Sequence, residues 1–245
     1  MDINESVIRS NLDNIQERII KAASACGRDA SQIKLVVVTK THPVEVIRAA
    51  FQAGAHVFGE NYPEESVAKI MSLQDTPGIE WHMIGHLQSR KARLVAEHFN
   101  MIQSLDSIHL AEKLERILSE IQKTMPVLLE FNVSGEESKY GWPAWQEDRW
   151  EELIPDISNL LKFPHLKVVG LMTMPPLFED PEVTRPYFSK LNSLKSYLSD
   201  NFKNNDWKDL SMGTSADFEI AIQEGATIVR VGQAIMGARP EKSQT

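Results

Sequence analysis

Residues 34–40, Lys34-Leu35-Val36-Val37-Val38-Thr39-Lys40, form an aliphatic run that ends on an amine. Leu35 to Val38 show no polar alternation, which marks a strand buried on both faces, as in a parallel sheet covered by helices. Lysines often stand solvated where a strand leaves a sheet, and this stretch alone admits that reading of Lys40. What Lys40 does therefore depends on how many similar strands follow.

Seven more runs of this kind occur, at 56–60, 80–85, 101–106, 125–133, 166–174, 209–213 and 228–232. Helical patterns separate them at 43–53, 62–73, 89–98, 107–122, 145–161, 183–200 and 217–224, and a short one starts at 233. Eight strands alternating with helices predict an α/β chain folded as a (β/α)8 TIM barrel, with a doubly wound sheet as the alternative. Upstream, Ile3, Val7, Ile8, Leu12, Ile15, Ile19 and Ile20 recur at helical spacing as far as Cys26-Gly27, which predicts an extra N-terminal helix over 3–26. The expected organisation is one domain over 1–245, with the barrel at 34–239. The only proline-rich connection lies at 174–182.

Composition narrows the function. A formal net charge of −8 argues against nucleic acid and anionic membrane as partners, because both need a basic surface. The single cysteine, Cys26, has no internal partner, the first residues are too acidic for a signal peptide, and no apolar run reaches spanning length. A cytoplasmic location is expected.

Barrels of this type carry their sites at the C-terminal ends of the strands. Those ends hold Lys40, Glu60-Asn61, the segment His82 to Gln88, Asp106, Asn132, Met172-Thr173-Met174, Ser211-Met212-Gly213-Thr214-Ser215 and Arg230-Val231-Gly232. The loops after the seventh and eighth strands are a recurrent phosphate site, and here both combine glycine with polar groups: Ser211, Gly213, Thr214 and Ser215 in one, Gly232 and Gln233 in the other. The competing reading makes Ser211, Thr214, Ser215 and Asp217 simple helix caps. Arg230 shares a strand face with Ile228 and Gly232, so it either pairs with Glu130 or donates to a ligand. An imine-forming lysine, a phosphate cradle and a cation between them match the outline of pyridoxal phosphate.

Other motifs fail on spacing. His82 and His86 have no third ligand, so no metal site is assigned, and neither a GxGxxG loop, a Walker lysine nor a nucleophile elbow occurs. Glu136-Glu137 are adjacent and cannot flank a sugar, and Arg90-Lys91-Ala92-Arg93 reads as a solvated helix face.

Five ordered blocks, at 36–62, 81–95, 131–141, 168–174 and 210–239, resemble the pyridoxal phosphate homeostasis protein family, itself similar to the barrel domain of alanine racemase and to fold-type III pyridoxal phosphate proteins. The resemblance implies a Schiff base at Lys40 and Arg230 facing the pyridine nitrogen. It also implies phosphate contacts from Ser211, Gly213, Thr214, Ser215, Gly232 and Gln233, with Asn61, His82 and Asn132 in support. Arg90 stands where the family usually has asparagine, and Thr214 where methionine is commoner.

An arginine opposite the pyridine nitrogen disfavours its protonation and weakens the ring as an electron sink. Racemisation also needs a second base, and Tyr62, Tyr140, Tyr187 and Tyr197 have no evident claim to that role. The expectation is therefore a monomeric carrier that stores or delivers the cofactor, with pyridoxal phosphate-dependent apoenzymes as recipients and no catalytic residue assigned. A weak amino-acid racemase is the alternative.

Overall fold

The computed structural model of the chain describes residues 5–238; Ile3 of the expected helix and Arg239, the expected barrel end, lie outside them. Eight parallel strands form the barrel: β1 (Lys34–Val38), β2 (Val57–Glu60), β3 (Glu80–Met83), β4 (Met101–Leu105), β5 (Met125–Asn132), β7 (Leu166–Met172), β8 (Asp209–Ser211) and β9 (Ile228–Val231). They pair in that order, and β9 returns to β1 with Val36 opposite Arg230, so the sheet has no free edge. The two-residue strand β6 (Trp142–Pro143) adds outside the barrel onto Phe131 and Asn132 at the end of β5. It is too short to leave a periodic signal and was not expected.

The strands are one to two residues shorter than their aliphatic runs at several sites. β1 stops at Val38 because the backbone turns after Thr39, whose N–H makes a last bond to Gly59 O (3.0 Å). The helices are α1 (Glu5–Ala25), α2 (Val44–Gln52), α3 (Pro63–Ser72), α4 (Ala92–His98), α5 (Ile108–Glu120), α6 (Ile154–Leu160), α7 (Arg185–Asn201), α8 (Phe218–Gln223) and α9 (Gln233–Met236). Three expected helices begin as 3₁₀ turns, at Ser89–Lys91, Glu147–Leu153 and Pro181–Thr184. None of the helices is long and apolar enough to cross a membrane, among the described residues.

Two cores result from the alternation of side chains across each strand. Val36, Met101, Leu128, Val169, Met172 and Ile228 fill the lumen, while Val37, Phe58, Val229 and Val231 belong to the layer under the helices. Ile8, Leu12, Ile15 and Ile19 give α1 a continuous buried stripe against α2, α8 and α9. Val7 and Ile20, expected on that stripe, are exposed on its flanks.

Candidate functional site

Lys40 lies two residues beyond β1, at the second position of a turn closed by His42 N–H donating to Thr39 O (3.1 Å). The third position is Thr41, at φ 68°, a region that a β-branched residue enters only when its surroundings hold it there. They do so through a buried polar cluster. Thr41 N–H donates to Glu65 Oε1 (2.7 Å), Thr39 Oγ1 to Glu60 Oε1 (2.7 Å), and Lys69 Nζ to both Thr39 O (2.9 Å) and Glu60 Oε1 (2.8 Å). Burial pushes the Glu60 carboxyl up, and the Lys69 ammonium beside it opposes that rise.

On the opposite wall the chain turns at Gly213, φ 91°, where a Cβ would sit 2.6 Å from Ala221 Cβ and 2.9 Å from Phe218 Cα. Only glycine fits there. Asp217 Oδ1 accepts from Thr214 N–H (2.7 Å) and Thr214 Oγ1 (3.1 Å) and makes no bond to the end of α8, so its side chain shapes the loop and does not cap the helix. Gly232 N–H donates to Ser215 Oγ (3.3 Å), which ties the two glycine-containing loops together.

Arg230 is buried in the lumen. It donates from Nη1 to Ser211 Oγ and from Nη2 to Thr173 O (2.8 Å) and Met174 Sδ (2.8 Å). Burial pushes its pKa down to about 10, opposed by Glu130 and Asp217, which leaves it cationic at neutral pH. Of the two alternatives for Arg230, the pair with Glu130 does not form as a direct contact: Glu130 acts on Arg230 only through its charge, and its buried Oε2 has no partner. Burial and the Asp106 carboxylate push the Glu130 pKa up to about 7, against the pull of Arg230 and Lys139. At the rim, Asp106 Oδ2 lies 2.8 Å from His86 Nδ1, and the His86 ring stacks on Tyr140 with centroids 3.7 Å apart.

Between these walls lies a cleft of about 380 Å³. Lys40, Asn61, Gly213, Thr214, Ser215, Arg230, Gly232 and Gln233 all line it, eight of the eleven residues expected from the sequence. The other three stand behind it. Ser211 and His82 are fully buried within the lumen, and Asn132 spends its amide on its own loop, with Nδ2 donating to Glu136 O (2.9 Å) and Oδ1 accepting from Gly135 N–H (2.9 Å). Ile84 and Met174, which fall within strand ends singled out in the sequence but were not assigned to the site, also line it, and sequence reasoning missed Lys139 and the Pro175 to Leu177 segment. The proline-rich composition of 174–182 was the one available signal for the last of these. Lys139 comes from the irregular stretch after β5, which carries no periodicity.

The cleft can hold an anion against N–H and O–H donors on one side while presenting an amine on the other. Its size falls within the usual range for small-ligand sites, roughly 300–1,000 Å³. Asn61 Oδ1 is buried in the cleft wall without a partner, an acceptor that a ligand hydroxyl would satisfy.

A family model described as alanine racemase, N-terminal domain, matches residues 10–240. The chain is 41% identical over 228 residues to the pyridoxal phosphate homeostasis protein of Aquifex aeolicus, covering 93% of this chain and 96% of that one. The solved structure of PipY from Synechococcus elongatus with PLP bound is 35% identical at a TM-score of 0.77, covering 91% of this chain and 100% of that one. Alanine racemase of Clostridium difficile shares the fold at 17% identity and a TM-score of 0.68; the match covers 98% of this chain and 59% of that one.

Proposed function

The chain belongs to the pyridoxal phosphate homeostasis protein family, and from that membership and the cleft between Lys40 and the Gly213 loop we propose that it binds pyridoxal 5'-phosphate for intracellular storage and delivery. One observation carries the reading. An amine on a braced turn faces two tied glycine-containing loops across a cleft of ligand size, with a buried guanidinium in the same wall.

The cofactor, when bound, supplies an aldehyde that condenses with an amine, and a phosphate that N–H and O–H groups can hold. In this assignment the Lys40 amine provides the covalent attachment. Ser215 offers its hydroxyl to the phosphate, Thr214 can do so by turning its hydroxyl from Asp217, and the backbone at Gly213, Gly232 and Gln233 permits its close approach. Arg230 faces the ring nitrogen as a donor only, which keeps a proton off that atom. Asn61 meets the ligand from the β2 side, while His82, Asn132 and Ser211 support the wall from behind.

Storage and delivery is favoured over racemisation because no tyrosine lines the cleft among the described residues. Tyr140 stacks on His86, Tyr187 on Phe178, and Tyr197 packs against Trp150. A single-domain cytoplasmic monomer that passes the cofactor to apoenzymes completes the proposal.

The test is a visible spectrum of purified protein incubated with pyridoxal 5'-phosphate, followed by borohydride reduction and peptide mapping. A reduced adduct on the Lys40 peptide is expected. Lys40→Ala should lose the yellow absorption while keeping the circular dichroism of the barrel; an adduct that persists in this variant would overturn the assignment. Lys40-dependent deuterium exchange into alanine or serine at useful turnover would favour the racemase instead.

A further inference from the structure

We propose that Gln103 and His82, neither of which lines the cleft, are positioning residues that hold the Arg230 guanidinium toward the ligand by way of Ser211. This rests on the binding function proposed above.

Four fully or nearly fully buried polar side chains cross the lumen in one connected line. Arg230 on β9 donates to Ser211 Oγ on β8, and Ser211 Oγ lies 2.6 Å from Gln103 Oε1 on β4. Gln103 Nε2 is 2.7 Å from His82 Nδ1 on β3, and His82 Nε2 is 2.7 Å from Glu80 Oε1 at the start of the same strand. Lys34 Nζ, at the start of β1, meets the same carboxylate oxygen at 3.3 Å. The line therefore runs from the cleft to the opposite mouth of the barrel.

Its polarity follows from one fact. A guanidinium only donates, so the Ser211 oxygen must accept from Arg230 and its one hydrogen must go to Gln103. That hydrogen needs the amide oxygen, which turns the amide nitrogen to His82 and leaves Nδ1 as the acceptor. The His82 ring proton is then on Nε2, where it donates to the Glu80 carboxylate. The opposite amide orientation would leave the Ser211 hydrogen facing another donor. Every bond in the line thus points from a cation to an anion, and each member fixes the next.

Arg230 also has a competing partner. Glu130 acts on it electrostatically and holds a buried oxygen, Oε2, with no hydrogen bond. A guanidinium that loses Ser211 keeps only its Nη2 contacts to Thr173 O and Met174 Sδ, which leaves Nη1 to turn toward that carboxylate.

Three measurements test this. In ligand-free wild-type protein labelled with 15N-histidine, His82 should be the neutral Nε2–H tautomer; an Nδ1–H tautomer or an imidazolium at neutral pH would overturn the polarity. At pH 8, Gln103→Leu should weaken pyridoxal 5'-phosphate binding by up to about tenfold, the scale of one lost hydrogen bond between neutral groups. Adding Glu130→Gln should restore most of that affinity, since the competing charge is gone. Unchanged binding in Gln103→Leu, or a loss that Glu130→Gln does not recover, would overturn the positioning role.

Should Gln103→Leu fail to fold, Gln103→Glu replaces it. This variant keeps the oxygen that Ser211 needs and removes the N–H that His82 needs. Binding within about twofold, with a proton gained at His82 Nδ1, is then expected; a larger loss with an unmoved His82 would overturn the proposal. A wild-type protein that takes up no pyridoxal 5'-phosphate would instead sink the function itself, whatever the histidine spectrum shows.

Discussion

Glu130 gives the barrel a defined dependence on pH. Its folded-state pKa of about 7 lies above the ordinary value of 4.5, with burial as the main cause and Asp106 as the second. The folded protein therefore holds this proton after the unfolded chain has released it, and the associated stability is present below about pH 4.5 and lost as pH rises through about 7. The contribution is on the order of 3 kcal/mol at most, since each pKa unit corresponds to about 1.4 kcal/mol. Glu130→Gln should flatten the decline in unfolding free energy between pH 5 and 8, read by urea denaturation at a series of pH values. An unaltered slope would mean that another group causes it. Glu80 runs the other way: its hydrogen bond with His82 holds it down to about 2, so its share of stability is lost only as pH falls from 4.5 toward 2.

Among the elements, the turn after β1 depends most on a side chain far from it in sequence. Lys69, on α3, reaches Thr39 O and Glu60 Oε1 while almost fully buried, and it also pairs with Glu65 at 2.6 Å. Removing one partner of a buried pair leaves the other charge without compensation. Lys69→Met should therefore cost about 3–5 kcal/mol by chemical denaturation, and Lys69→Met combined with Glu60→Leu should recover a large part of it. If the single variant unfolds at the wild-type midpoint, this cluster does not hold the turn. None of it was visible along the sequence: Glu60 was noticed as a strand end, but Glu65 and Lys69 look like ordinary charges on the face of α3.

For the whole molecule, the eight barrel strands were legible because a parallel sheet under helices needs uninterrupted aliphatic runs, and such runs stand out from a helical period. The ends were less so, since the aliphatic run does not show where the chain turns: at β1 the backbone turns straight after Thr39, with Thr41 at φ 68°, although Thr39 and Lys40 continue the same stretch of sequence. In the site, the two glycine-containing loops were legible from composition. Ser211 was placed with them because it begins the same segment. Its hydroxyl points instead across the lumen to Gln103, a direction set by how the strand faces the barrel interior and not by its neighbours in sequence. His82 followed the same rule. Lys139 and the segment from Met174 to Leu177 reach the cleft through irregular backbone, where no period exists to read.

The closure of β9 onto β1 has a consequence during synthesis. Lys40 follows the first strand made, whereas Arg230 and Gly232 belong to the last, and Val36 meets Arg230 only when that last strand docks. A chain emerging from the ribosome carries Lys40 long before it carries the opposite wall of the cleft. Chains stalled with β9 still inside the tunnel should leave no borohydride-fixed adduct at Lys40 when pyridoxal 5'-phosphate is present at concentrations near the dissociation constant. Chains released past Met236 should trap it. Ligand capture would then report completion of the barrel, so that half-made protein does not draw on the cell's free cofactor.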